Sequence, residues 1–255
     1  MDINAVSIKE IEDLSLNAWP SHQMQVYDGW ILRFSYFYTH RTNCVEQLGF
    51  SILPLEEKIP VCEEIYRWWK SPCIFKISPI GDPAVDGLLA ERGYGIEHET
   101  NVMTGALRKM DLKTGSPVPG LLMEDRVTQR WIDGLFALKE TTDPTHLRIV
   151  PSMYAAIPKD EIAVSVRDAE GRICATGLGI LDRDCVGVYA IHVREDCRKK
   201  GYATAICRSI LSEAAERGAE NAYLQVVSDN DPAKRLYRKL GFTDSYRDWF
   251  RVRYQ

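Results

Sequence analysis

Apolar residues recur along this chain at two spacings, and the change from one to the other divides it into elements. Ile8, Ile11 and Leu14 share one face of a helix expected over 8–18. The stretch 23–36 reads as a strand or hairpin around the turn pair Asp28-Gly29, and 41–50 as a further strand. Val61, Ile65, Trp68 and Trp69 mark a helix over 55–70, and 73–77 is a short strand. Pro83 sits where a helix from Asp82 to Gly93 would have its first turn. A closing strand covers 95–107. Residues 109–120 break both periodicities and predict a linker, hence two domains, 1–118 and 119–255.

Beyond that linker the pattern predicts a strand over 121–124, a helix over 128–139 and mixed helix and loop over 144–158. Strands over 162–167 and 173–181 flank the hairpin turn 168–171. A strand over 185–193 leads to a helix over 201–217, whose apolar stripe is Ile206, Ile210, Leu211 and Ala214 and whose stop is Gly218. A buried strand over 222–227 precedes a helix that Pro232 opens and Gly241 ends. Residues 248–254 alternate and close the sheet.

Composition excludes several classes. A hydrophobic content of 45% with 27% charged residues is ordinary for a globular protein. No run of about 18 apolar residues predicts a membrane span, and Met1-Asp2-Ile3-Asn4 does not begin a secretory leader. Seven scattered cysteines without a Cys-x-x-Cys pair suit reduced thiols in a cytoplasmic protein, with no metal site expected. Cys197, in a cationic loop, is the thiol to examine for reactivity. The net charge is −4; residues 1–118 hold 11 Lys and Arg against 16 Asp and Glu. Cations of the second half gather in two windows, around Arg198 and around Lys234. That pattern argues against a nucleic-acid face and for a compact anionic ligand.

The first window carries the most chemistry. Arg198, Lys199, Lys200 and Gly201 link a strand to a helix that continues through Tyr202, Ala203 and Thr204. The first N–H groups of a helix lack intrahelical partners, and the helix dipole favours negative charge there. Glycine lets a ligand approach the main chain. The combination is that of a phosphate cradle. Read alone, the same loop is also an exposed basic turn.

Val193, Arg198-x-x-Gly201-x-Ala203, a long helix, a buried strand, then Asn230-x-x-Ala233-x-x-Leu236-Tyr237-x-x-x-Gly241-Phe242 resembles the GNAT superfamily of N-acetyltransferases. Residues 19–43 are similar to the first halves of its tandem-domain members. The resemblance implies an α/β (α+β) fold of two GNAT-like domains, each a mixed, mostly antiparallel twisted sheet flanked by helices. The N-terminal domain is degenerate in this reading, because it lacks the phosphate loop. Glu195 and Lys199 depart from the family, which often has Pro and Gly there.

The resemblance further implies acetyl-CoA as co-substrate. Its pyrophosphate would lie on the N–H groups from Arg198 to Thr204, and its pantetheine arm along the backbone of Ile191, His192 and Val193. Asn230 and Ala233 would bind that arm, and Tyr237 would stand near the sulfur as the acid for the leaving thiolate. Without the resemblance, Tyr237 merely completes the stripe Ala233-Leu236-Tyr237-Leu240. The acceptor would be a primary amine of a small molecule or peptide.

An amine must lose its proton before attack, so a base or water relay is required. Strict alternation along 185–193 groups Tyr189, Ile191 and Val193 on one face, which the resemblance implies would meet the substrate, and turns His192 to the other. Tyr189 is then the polar group available, a poor base at neutral pH. Glu140 and Asp143 are alternatives that read better as solvated residues. The missing carboxylate base motivates a rival reading, a non-catalytic acyl-CoA-binding or sensing module. Arg235, Arg238 and Lys239 read as a solvated helix face, Arg251 and Arg253 as a half-exposed closing strand. Arg33, Arg41 and Asn43, set among aromatics, are either a substrate wall or structural core.

Overall fold

The computed structural model describes residues 6–112 and 117–254. Its first part contains α1 (Ile8–Ala18), β1 (Gln23–Tyr27), β2 (Trp30–Phe34), β3 (Val45–Gln47), α2 (Leu55–Trp68), β4 (Cys73–Ile77), α3 (Ala84–Glu91) and β5 (Gly95–Ala106). Then follow β6 (Leu121–Glu124), α4 (Gln129–Lys139), α5 (Pro144–Ala155), β7 (Asp160–Arg167), β8 (Ile173–Asp182) and β9 (Cys185–Val193). The chain closes with α6 (Tyr202–Glu216), β10 (Asn221–Val227), α7 (Asp231–Leu240) and β11 (Thr243–Arg253). No described helix is long and apolar enough to cross a membrane.

These elements form two compact units, but not the successive halves 1–118 and 119–255. One unit joins the residues through Ala18 to Val102–Ser245; the other joins Trp19–Asn101 to the stretch from Tyr246 onward. The two chain ends account for the difference. Helix α1 packs on β8 and β9. Residues 249–253 of β11 pair antiparallel with 73–77 of β4. Within the expected linker, residues 113–116 lie outside the described residues.

In the larger unit the strand order runs from the end of β5 through β10, β9, β8 and β7 to β6. The pairs β6–β7, β7–β8 and β8–β9 are antiparallel, whereas β10 and β9 are parallel. Helix α6 covers one face because Ile206, Cys207, Ile210, Leu211 and Ala214 all point into it and are buried. Burying each of the larger side chains contributes about 2–3 kcal/mol. The approach is close. A Cβ on Gly177 would stand 2.3 Å from Ile206 Cγ2, and one on Gly179 2.5 Å from Ile210 Cγ2. Helix α4 lies against β8 and β9 as well, with its Trp131 indole donating to the Val164 carbonyl at 3.0 Å.

The smaller unit orders its strands β1, β2, β3, β4, β11, β5. Asp28 and Gly29 take φ of 41° and 76°, closing the β1–β2 hairpin. The strand expected over 41–50 shrinks to β3. The Asn43 Oδ1 accepts from the N–H groups of Ser35 and Phe37 at 2.7 and 2.8 Å, and residues 40–42 turn into a 3₁₀ segment instead. Helix α2 buries Ile59, Cys62, Glu63 and Tyr66, and leaves Trp68 79% exposed. Glu63 is tolerated inside because Arg92, Tyr94 and Arg253 each donate to it at 3.0 Å.

A buried ionic chain crosses this unit. Arg33 Nη1 binds Glu46 at 3.0 Å, and Lys76 Nζ lies 3.7 Å from both Glu46 and Asp248. Arg33 also donates to the carbonyls of Arg41 and Trp19. Of the two readings of Arg33, Arg41 and Asn43, their bonds therefore favour structural core. Arg251 is likewise tied, to Asp86 at 2.8 Å and the Tyr94 carbonyl at 3.0 Å.

Candidate active site

The turn between β9 and α6 reverses its backbone twice. Lys199 and Gly201 both take left-handed backbone, φ 62° and 82°, on either side of Lys200. Such reversals turn successive N–H groups into a concave nest. Helices α4, α5 and α7 of the same unit are each capped by a side chain, from Thr128, Asp143 and Asn230. Helix α6 opens on Gly201 with no side-chain cap, so the N–H groups of Tyr202, Ala203 and Thr204 face outward. Among the described residues, no atom beyond its chain neighbours lies within 4 Å of where a Gly201 Cβ would stand. Arg198, Lys199 and Lys200 are exposed around this opening. Arg194 is committed elsewhere, to Asp168 at 2.9 Å and Asp196 at 2.7 Å, and so pins the loop. Cys197 is buried beneath it, with Arg194 donating to its sulfur at 3.4 Å.

Beside the loop the sheet opens. The parallel ladder runs from Asn221 opposite Cys185 to Leu224 opposite Val188, while β9 continues to Val193 and β10 to Val227. The edges of the two strands past that rung are where an extended chain would add.

A bulge changes what points where. Thr176 pairs with His192 and Leu178 with Tyr189, so Ala190 and Ile191 together face Gly177. Ala190 takes φ 50°, and the Thr176 hydroxyl donates to its carbonyl at 3.1 Å. Residues paired across strands share a face, and so do residues two apart on β8. Tyr189 and His192 are therefore on one face together. Ile191 and Val193 join Val186 and Val188 on the α6 face, where Ile191 Cδ1 approaches Gly177. The expected grouping of Tyr189 with Ile191 and Val193, and the expected turning away of His192, are both corrected. The cause is one inserted residue, which shifts the alternation by one.

The site residues thus divide between two faces at the parting strands. On the α6 face, Ile191, Val193, Tyr202, Ala233 and Tyr237 pack in one apolar cluster. Tyr237 is 9% exposed, its ring edge-on to Phe242, and burial pushes its phenol well above the ordinary range. It remains a proton donor at neutral pH. Asn230 is exposed at the start of α7; its Oδ1 accepts from the Ala233 N–H at 3.2 Å, which leaves its Nδ2 as the group for a ligand.

On the opposite face the Tyr189 and Tyr223 hydroxyls hydrogen-bond each other across β9 and β10. Gly187 leaves them room: a Cβ there would lie 2.6 Å from Tyr189 and 2.7 Å from Tyr223. His192 is half-buried; burial, and after it the charge of Lys139, lower its pKa to about 4. At pH 7 it is neutral and carries a lone pair. Gln225, two residues after Tyr223 and just past the last paired rung, keeps both Oε1 and Nε2 sealed from solvent without a partner. Sequence reasoning missed Gln225; its one signal was a polar residue inside an apolar strand.

Of the other candidates, Asp143 caps α5, and its bonds from the His146 and Thr145 N–H groups lower its pKa. Glu140 is exposed at the end of α4. Arg238 pairs with Asp244 at 2.7 Å, away from the loop chemistry.

This fold is that of the GNAT class of acyltransferases. A GCN5-related N-acetyltransferase from Kribbella flavida superposes with a TM-score of 0.73 at 16% identity, over 97% of this chain and 96% of that one. A tandem GNAT protein from the clavulanic acid biosynthesis pathway gives 0.69 at 13% identity, over 98% and 89%. At such identities the likeness is one of fold. A family model described as "Probable histone acetyltransferase Rv0428c C-terminal" matches residues 5–254, and the chain belongs to that family. The uncharacterized N-acetyltransferase YobR of Bacillus subtilis (strain 168) is 26% identical over 247 residues, 96% of this chain and 98% of YobR. The mycothiol acetyltransferase of Clavibacter sepedonicus is 35% identical over 79 residues, and this match spans 26% of that protein.

Proposed function

We propose that this protein transfers an acetyl group from acetyl-CoA to a primary amine of a small molecule or peptide. The observation that carries the reading is the uncapped start of α6 beside the parting of β9 and β10. The donor set fits the group: main-chain N–H groups from Lys199 to Thr204 and three exposed cations suit a diphosphate. The backbone of Ile191, His192 and Val193 suits an extended amide arm. Bound there, acetyl-CoA supplies a thioester carbonyl to the gap between the two faces.

The residues of the chain then have separate tasks. A main-chain N–H near Val193 stabilises the negative charge that develops on the carbonyl oxygen. Tyr237, kept protonated by burial, donates towards the departing sulfur from the α6 face. The amine approaches from the face of Tyr189, His192 and Gln225. The amine reacts from its small neutral fraction; His192 accepts the proton that the nitrogen sheds once it has attacked the carbonyl, and passes it on to water. Tyr189 and Tyr223 occupy each other's hydroxyls and shape that wall. Holding both reactants in register supplies much of the acceleration.

Calorimetry with acetyl-CoA, followed by release of free CoA thiol over a panel of amines, tests this. Micromolar binding and amine-dependent thiol release are expected. Tight binding without turnover on any amine supports the binding-module reading instead, and no binding removes both.

A further inference from the structure

A second cluster of ligating groups lies in the smaller unit, apart from the chemistry above. His40 sits in the 3₁₀ turn before β3, and Glu97 and His98 lie near the start of β5. One donor atom from each of the three residues falls within 4.8 Å of the others. His40 Nε2 lies 3.1 Å from Glu97 Oε2, and the two imidazole rings meet edge to face at 4.4 Å.

We propose that His40, Glu97 and His98 form a site for a divalent transition metal of the zinc type. Two imidazoles and one carboxylate are a donor set that zinc accepts, with a fourth position left for water. Ligand atoms about 2.0–2.1 Å from a tetrahedral ion stand about 3.3 Å apart. The His40–Glu97 separation is already close to that value. The remaining distances close by rotation of His98, which is exposed.

Three features support a site rather than a passing ion pair. His98 takes φ 50°, a left-handed conformation that costs an ordinary residue about 1 kcal/mol or more, and that presents its ring to His40. The Tyr254 hydroxyl donates to Glu97 Oε2 at 3.0 Å and orients the carboxylate from outside. Phe250 packs edge-on against His40 at 5.4 Å and fixes that ring. The charge works in the same direction, since the carboxylate offsets part of the charge of the ion. No spacing along the chain points to a metal here, because His40 is separated from Glu97 and His98 by more than fifty residues.

The test uses the untagged full chain and zinc chloride. Calorimetry is expected to find one tight equivalent of zinc in wild type, and cobalt(II) to give a visible d–d band of tetrahedral intensity. His98→Asn is the decisive variant, because Asn tolerates left-handed backbone and keeps the fold. It is expected to weaken zinc binding at least about 100-fold, and Tyr254→Phe about 10-fold. Zinc is also expected to raise the melting temperature of wild type and not of His98→Asn. Zinc affinity unchanged by His98→Asn overturns the site, since the buried cysteines or other groups would then hold the ion. So does the absence of binding to wild type at about 100 μM zinc.

Discussion

His192 shares a sheet face with Tyr189, although three positions separate them on one strand. The bulge at Ala190 brings this about, and it turns His192 to the face of Tyr189, where the proposed mechanism uses it as proton acceptor. His192→Ala is expected to lower kcat about 100-fold while leaving the acetyl-CoA dissociation constant within a factor of two. Steady-state kinetics at saturating co-substrate check this, and an unchanged kcat removes the role.

The same histidine makes stability depend on pH. Its folded pKa of about 4 lies below its ordinary value, so between the two values the unfolded chain binds more protons. Stability contributed by His192 is present above about pH 6.5 and is lost as pH falls towards 4. Melting curves from pH 7 to 4 are expected to fall less steeply for His192→Asn than for wild type.

Gly201 combines left-handed backbone with open space in front of it. Gly201→Glu places a carboxylate where a diphosphate would lie and is expected to abolish acetyl-CoA binding in calorimetry. Gly201→Asn, which accepts the backbone without adding charge, is expected to retain measurable affinity. Equal affinities for the two variants would show that the loop does not hold the anion.

Tyr237 is buried yet lies beside the proposed path of the sulfur. Tyr237→Phe is expected to reduce kcat about 10- to 100-fold with little change in acetyl-CoA affinity. A purely packing role predicts the reverse, an altered melting temperature and an intact rate.

Gln225 has two sealed polar atoms without partners, which costs stability in the free protein. Gln225→Leu is therefore expected to stabilise the fold by about 1–3 kcal/mol in urea unfolding. It is also expected to raise KM for the amine and not for acetyl-CoA, because the amide has no other ligand to meet. Stabilisation without any change in KM leaves Gln225 a cost with no function.

Much of this protein was legible in its residues, and for a common reason. The helix starts near Thr128 and Pro232, the hairpin at Asp28-Gly29 and the loop ending at Gly201 depend on a few neighbouring residues. Backbone conformation and orphan N–H groups at such places follow from local chemistry. What failed was non-local. Strand 41–50 shortened because Asn43 reaches back to Ser35 and Phe37. Helix α2 packs Ile65 and Trp69 on the core as expected, but it leaves Trp68 exposed and buries Glu63, which finds partners in Arg92, Tyr94 and Arg253.

The sequence alone therefore determined most of the elements and the strand-loop-helix passage ending at Gly201, since each is set by residues close together along the chain. Only the tertiary structure decided the exchange of the chain ends between units, the side of the sheet taken by His192, and the meeting of His40 with Glu97 and His98. Those outcomes depend on ladder register and long-range contact, and one inserted residue in a strand is enough to invert every face beyond it.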